Sequence, residues 1–225
     1  LKSLEILKLL TQDDINSRRL FTHAFKAELK IISEISEENF ELIDSSDCAG
    51  DDSHRAALVK GYLMLTAESV ISATQLLSLG HVSPSGNSMR VSYEALCFSA
   101  LLKKDIEIQV SRGSHKFSFY DDYCNGRRNS RADQVVSLFI KNSKLLGLNE
   151  NGKSFIKTAK DFYNGYSHAS DLLLHSKINP STLHMYVGGG YDNEQQPLYS
   201  EHVKFIIRYI KQIPSWIKVI ANNAT

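Results

Sequence analysis

The sequence predicts an all-α protein, a helical bundle of about six or seven helices with a small β-hairpin excursion before the last helix. Three observations carry this expectation. Apolar residues recur at spacings of three and four over most of the chain. Residues 61–102 hold almost no charge, which places the helices there inside a bundle rather than on its surface. Clusters of Gly, Pro, Asn and Ser punctuate the periodic segments.

Taken in order, Asp13 or Asp14 caps a first helix running toward Ile35 or Ile43, with Ile15, Leu20, Phe21, Phe25, Leu29 and Ile32 on its apolar side. Residues 45–53 (SSDCAGDDS) form a loop. Ser53 or Asp52 then caps a helix from Arg55 to Leu79, which Gly80 ends. Residues 81–87 (HVSPSGN) read as a turn before a helix from Ser88 to Lys104. Ile106, Ile108 and Val110 alternate over a run short enough for helix or strand, and residues 113–128 read as a long loop. Ser130 and Asp133 resemble a capping signal for a helix to Leu146. A further helix spans Lys153 to Lys177, closed by Pro180. Leu183 to Val187, the glycines 188–190 and Gln196 to Tyr199 form the expected hairpin. Ser200 caps a last helix to Ile220 that Pro214 kinks or splits. No repeat or linker divides the chain, so one domain is expected over residues 1–225, with its core at 55–220.

Composition bounds the function classes. The 225 residues are 42% apolar and 23% charged, close to the globular average. A net charge of +1 supplies no overall field toward nucleic acid or an acidic membrane, although a local patch can. Cys48, Cys97 and Cys124 are odd in number, widely spaced and without a C-x-x-C. That argues against a disulfide framework or zinc knuckle and for a reducing, cytoplasmic location. The apolar stretch Gly61–Leu79 is interrupted by Thr66, Glu68, Ser69, Ser72, Thr74 and Gln75, which suits a buried helix better than a membrane span. No signal peptide is legible. The chain starts at Leu1 rather than Met, which leaves a preceding leader open.

From Gly61 to Leu102 the formally charged side chains are Glu68, Arg90 and Glu94. Arg90 and Glu94 stand four apart on one helix face, among Met89, Val91, Tyr93, Leu96 and Phe98. Burying either ion alone costs several kcal/mol, against the ~0.2–0.5 kcal/mol that a surface pair returns. Two readings follow: an ion pair that fixes helix register, or a polar pocket at the bundle centre. In the helix expected to reach Lys177, His168, Asp171 and His175 fall at spacings of three and four on one face, beside Tyr166 and Ser167. Facing helices would gather Arg90, Glu94, His168, Asp171 and His175 into one cluster, with Glu68 joining from the preceding helix. Such a cluster serves packing and hydrogen bonding, or acid–base chemistry by a histidine with a shifted pKa. The spacing matches no strong metal signature, and no Glu-x-x-His occurs, so neither metal nor cofactor is expected.

Weaker signals remain. Arg127, Arg128 and Arg131 lie near Tyr120 and Tyr123, a pattern found in solvated loops and in single-stranded nucleic-acid sites. The glycines 188–190 lack the G-K-[ST] of a phosphate loop and suit a hairpin tip. Arg18 and His23, with four residues between them, resemble the Arg-x(4–6)-His pattern of HEPN ribonucleases. That resemblance implies a histidine acid or base and an arginine steadying phosphate charge. The pattern falls here in the first helix, whereas that family carries it near the end of its bundle. The stretch Leu76–Leu102 (LLSLGHVSPSGNSMRVSYEALCFSALL), with Ser167, His168, Ser170 and His175 downstream, is similar to uncharacterised bacterial helical families with an Arg-x-x-x-Glu core helix and a later Ser/His helix. This second resemblance implies an all-α bundle and a phage-defence or stress context, and supplies no reaction.

The expected function is a binding or interaction module with its pocket at Arg90, Glu94 and His168. It would take a small ligand or pair with a partner protein or second copy, for which the last helix with Trp216 offers an apolar surface. The alternative is a HEPN-like RNA-cleaving toxin or defence effector. A closed, neutralised ion cluster favours the first. An exposed cleft holding arginine and histidine within a ring of positive charge favours the second.

Overall fold

Two long helices, α4 (Ser53–Ser78) and α5 (Val82–Leu102), pack against each other as an antiparallel hairpin through the middle of the bundle. The computed structural model describes residues 3–11, 14–46, 53–103, 106–110, 113–167, 170–179 and 181–221. On α4, Val59, Leu63, Ala67, Val70, Ala73 and Leu77 follow three- and four-residue spacings and are at most 2% exposed. By length and composition α4 could cross a membrane. Its apolar stripe is instead occupied by α5, α3 and α10, so core burial accounts for it. On α5 every residue from Ala95 to Leu102 is buried. Two serines bind the hairpin together. The Ser92 hydroxyl donates to the Thr66 carbonyl oxygen at 2.8 Å and the Ser88 hydroxyl to that of Ser69 at 3.0 Å.

Gly80 ends α4 in a left-handed conformation (φ +76), its amide donating to the Leu77 carbonyl and that of His81 to Leu76, both at 2.9 Å. The expected turn at residues 81–87 is helical. α5 starts at Val82, and Pro84 falls in its first turn, where the backbone needs no amide donor. The small residues serve packing. A Cβ added to Gly86 would lie 2.9 Å from the Tyr166 Cβ of α8 (Glu150–Ser167), so only glycine lets the two helices approach this closely.

The remaining elements wrap this hairpin. The expected first helix is two, α2 (Ile15–Ala24) and α3 (Lys26–Ser45), preceded by α1 (Ser3–Thr11). Asp14 caps α2, its Oδ1 accepting from the Ser17 amide at 2.9 Å. The break at Phe25 seats Phe21 and Phe25 together in the core, ring centroids 4.6 Å apart, while α3 turns Ile32 and Ile43 inward. The proposed caps Ser53 and Asp52 lie outside the described side chains. α7 (Ala132–Lys141) is shorter than expected and is not capped by Ser130, whose hydroxyl donates to the Arg127 carbonyl at 2.9 Å. Its end is set by Asn142, whose amide group exchanges two 2.9 Å hydrogen bonds with the backbone of Gln109. Gln109 belongs to β1 (Glu107–Gln109), which pairs antiparallel with β2 (Lys116–Ser118), Ile108 opposite Phe117. The small hairpin therefore arises from the alternating 106–110 run. Residues 183–187 hold only an isolated bridge, Ile178 to Met185, and Gln196–Tyr199 begin a helix.

After β2, α6 (Phe119–Cys124) occupies part of the expected loop. α8 ends at Ser167, and a short α9 (Asp171–His175) follows from Ser170, whose extended backbone (φ −132, ψ 165) breaks the continuous helix expected there. Pro214 divides the final helix as expected, into α10 (Gln196–Ile210) and α11 (Ile213–Ala221). Trp216 is not a surface group. It is 6% exposed and packs its ring against Phe139 and Phe155, at centroid distances of 5.6 and 6.1 Å.

Candidate functional site

Arg90 and Glu94 do meet. One turn of α5 brings the Arg90 Nε to 2.7 Å from the Glu94 Oε1, with side-chain exposures of 32% and 15%. The hydrogen bond that Arg90 donates to Glu94 raises the Arg90 pKa above its ordinary value, against the opposing pull of burial. Burial pushes the Tyr93 hydroxyl and the Cys97 thiol upward, so both stay protonated at neutral pH. The guanidinium still reaches water, which limits the pair's contribution to about 1 kcal/mol. This is a mutually neutralised, partly solvated pair at the edge of the core.

Glu68, Asp171 and His175 form no ion pair or hydrogen bond with this pair among the described residues. Glu68 is exposed, and its carboxylate accepts from the Ser72 hydroxyl at 2.6 Å on its own helix. Asp171 and His175 are exposed on α9 and share no helix with Ser167, because the chain breaks at Ser170. His168 lies outside the described residues. Among the described residues no group of three or more His, Cys, Asp or Glu side chains could hold a metal ion.

The interior does hold one titratable group that periodicity alone did not single out. His202 of α10 is fully buried against Tyr166, Phe162 and Tyr163, at ring-centroid distances of 4.3, 5.3 and 6.1 Å. Neither ring nitrogen has a hydrogen-bond partner among the described residues. Burial depresses its pKa to about 3, so it is a neutral aromatic filler at pH 7, unsuited to acid–base work there.

Open space lies along α2, beside the turn between α4 and α5. One cleft of about 610 Å³ is lined by Asp14, Ile15, Arg18, Arg19, Thr22, His23, Lys26 and Leu79. A second, of about 830 Å³, shares Asp14, Ile15 and Leu79 with it and extends past His81 and Gly188–Gly189 to Glu5, Lys8 and Leu9 of α1. The floor is fixed by backbone approach. The Gly190 amide donates to the Leu79 carbonyl at 2.8 Å, and the His81 ring and Leu79 carbonyl occupy the space a Cβ on Gly189 would need. Ser17 links this glycine segment to α2. It accepts from the Tyr191 amide at 2.8 Å and donates to Asp14, whose carboxyl that bond holds below its usual range. Burial, with help from the Lys177 charge, lowers the pKa of His81.

The electrostatics of the smaller cleft are one-sided. Arg18, Arg19 and Lys26 are exposed and form no ion pair among the described residues, and the one carboxylate in the lining, Asp14, is engaged by Ser17. Arg18 and His23, singled out by their spacing, line the same cleft. Arg19, Lys26, His81 and Gly189 were missed. The available signal was the absence of any acid between Asp14 and Glu28. The arginines flanking Tyr120 and Tyr123 are different. Arg127 pairs with the buried Asp122 at 3.0 Å, which makes it part of a structural loop.

No family model, curated protein or solved structure matches the chain. The chemistry of the clefts is therefore the basis for a functional reading.

Proposed function

We propose that the protein is a binding module that holds a phosphate-bearing, anionic ligand in the cleft along α2. The supporting observation is the cationic excess of the lining: Arg18, Arg19 and Lys26 against one ionised carboxylate, Asp14, which hydrogen-bonds to Ser17. Guanidinium groups without a protein partner suit phosphate oxygens, which they bind through paired N–H donors. Arg90 and Glu94 pair with each other within one turn of α5, so this reading places the ligand at α2 rather than there. Titration of the full chain with a fluorescent single-stranded RNA oligonucleotide and with inorganic pyrophosphate tests this reading. Replacing both Arg18 and Arg19 by Ala is expected to weaken binding at least tenfold and to flatten its salt dependence. Unchanged affinity in that variant rejects the site.

A second reading rests on the placement of Arg18 and His23 in the lining of the same cleft, together with Arg19 and Lys26. In it, the protein cleaves RNA, with His23 as acid or base and Arg18 stabilising the phosphate, as in a defence effector. His23→Ala would then abolish cleavage while leaving RNA affinity within about threefold. RNA that stays intact with the wild-type chain leaves the binding module as the function.

A further inference from the structure

The two clefts along α2 adjoin and have unlike linings. Asp14, Ile15 and Leu79 belong to both. In the smaller cleft, Arg18 and Arg19 supply cationic donors. In the larger one the lining turns to an imidazole ring, an amide and bare backbone, from His81, Asn16 and the glycines 188–189. Ile15 joins the two. It is 75% exposed and precedes Arg18 and Arg19 by one helix turn, about 5 Å along the axis. The His81 ring is held close against the glycine segment. A Cβ on Gly189 would lie 2.7 Å from its Cε1 and Nε2, and the bond from the Gly190 amide to the Leu79 carbonyl ties that segment to the turn. Burial, aided by the Lys177 charge, keeps the ring largely uncharged at pH 7.

We propose that the ligand is a nucleotide unit, its phosphate held by Arg18 and Arg19 and its base laid across Ile15 against the His81 ring. This deepens the α2 reading and rests on it. Three features select a nucleotide among phosphate-bearing ligands. A neutral imidazole offers an aromatic face, and histidine is one of the side chains on which unpaired bases stack. Asn16 carries a donor and an acceptor on one amide, the combination that matches the edge of a base. One turn of α2 is also the scale on which a nucleotide separates its phosphate from its base. A bare sugar phosphate would leave the ring and the amide unused. The acyl chain of a lipid phosphate would have to lie against Glu5 and Lys8 of the same lining.

Calorimetric titration of the full chain with pyrophosphate, ribose 5-phosphate and adenosine monophosphate tests the proposal. Adenosine monophosphate is expected to bind at least tenfold more tightly than ribose 5-phosphate, the gain that stacking one base supplies. His81→Ala is expected to erase that preference and to leave pyrophosphate affinity unchanged. His81→Phe, which keeps a ring in place, is expected to retain the preference, each variant having a native melting curve. Equal affinity of the wild type for adenosine monophosphate and ribose 5-phosphate overturns the nucleotide, while binding of pyrophosphate still upholds the α2 site. Absence of pyrophosphate binding overturns both. A preference that survives His81→Ala in a folded chain overturns the placement of the base. A tetra-adenylate RNA that binds tenfold or more above adenosine monophosphate identifies the unit as part of an RNA strand, and equal affinity identifies it as a free nucleotide.

Discussion

Along α5, Arg90 meets Glu94 at 2.7 Å and both settle at the rim of an apolar core. Along α2, Arg18, Arg19 and Lys26 gather around a cleft whose carboxylate is already taken by Ser17. The first arrangement satisfies its charges within one helix turn and leaves nothing for a ligand. The second leaves Arg18, Arg19 and Lys26 without an ion pair among the described residues, in the lining of a cleft of about 610 Å³.

The contrast can be broken most forcefully through the interior. His202 carries no proton in the fold until pH falls to about 3, whereas in the unfolded chain it takes one near pH 6.5. Between those values the unfolded state binds the extra proton, so stability falls as pH falls, approaching about 1.4 kcal/mol per pH unit. Urea unfolding at pH 7.0, 6.0 and 5.0 measures this before most carboxylates protonate. His202→Phe, which keeps an aromatic ring in the cage, is expected to remove that slope and leave stability at pH 7 undiminished. An unchanged slope would show that His202 is solvated.

Gly86→Ala comes next. Its added Cβ meets the Tyr166 Cβ at 2.9 Å, close to the backbone, so α5 and α8 must move apart. A loss of about 1–2 kcal/mol is expected after the helix-propensity gain of alanine. Glu94→Ala, which leaves Arg90 unpaired but able to reach water, is expected to cost about 1 kcal/mol. Arg18→Ala and Arg19→Ala sharpen the other side of the comparison. Neither side chain has a protein partner among the described residues, so thermal unfolding is expected to change by less than about 0.5 kcal/mol.

Much of the architecture was legible because burial writes itself into composition. The charge-poor run from Gly61 to Leu102 located the central hairpin, Asp14 the start of α2, Gly80 the end of α4, and Pro214 the split of the last helix. What was not legible depended on groups far apart in sequence. Residues 81–87 read as a turn because Pro84 and Gly86 are turn formers, yet here they serve a helix start and a close helix crossing with Tyr166. The helix expected through Lys177 is instead α8, ending at Ser167, and α9, which takes Asp171 and His175 off that helix; His168 lies outside the described residues. Arg90 and Glu94 meet because one helix turn fixes them, whereas the expected joining of Glu68, Asp171 and His175 to them needed an inter-helix register that periodicity does not carry. The α2 cleft needed Leu79, His81 and the 188–190 glycines, which chain topology alone brings together.

The most direct measurement compares two double variants in the same RNA and pyrophosphate titration, each checked for a native melting curve. Arg18→Ala with Arg19→Ala is expected to lose at least tenfold in affinity, while Arg90→Met with Glu94→Leu, which removes the interior pair without leaving either ion alone, binds as the wild type does. Binding abolished by the Arg90/Glu94 variant in a folded chain, and spared by the Arg18/Arg19 variant, would return the site to the bundle centre and contradict its assignment to α2.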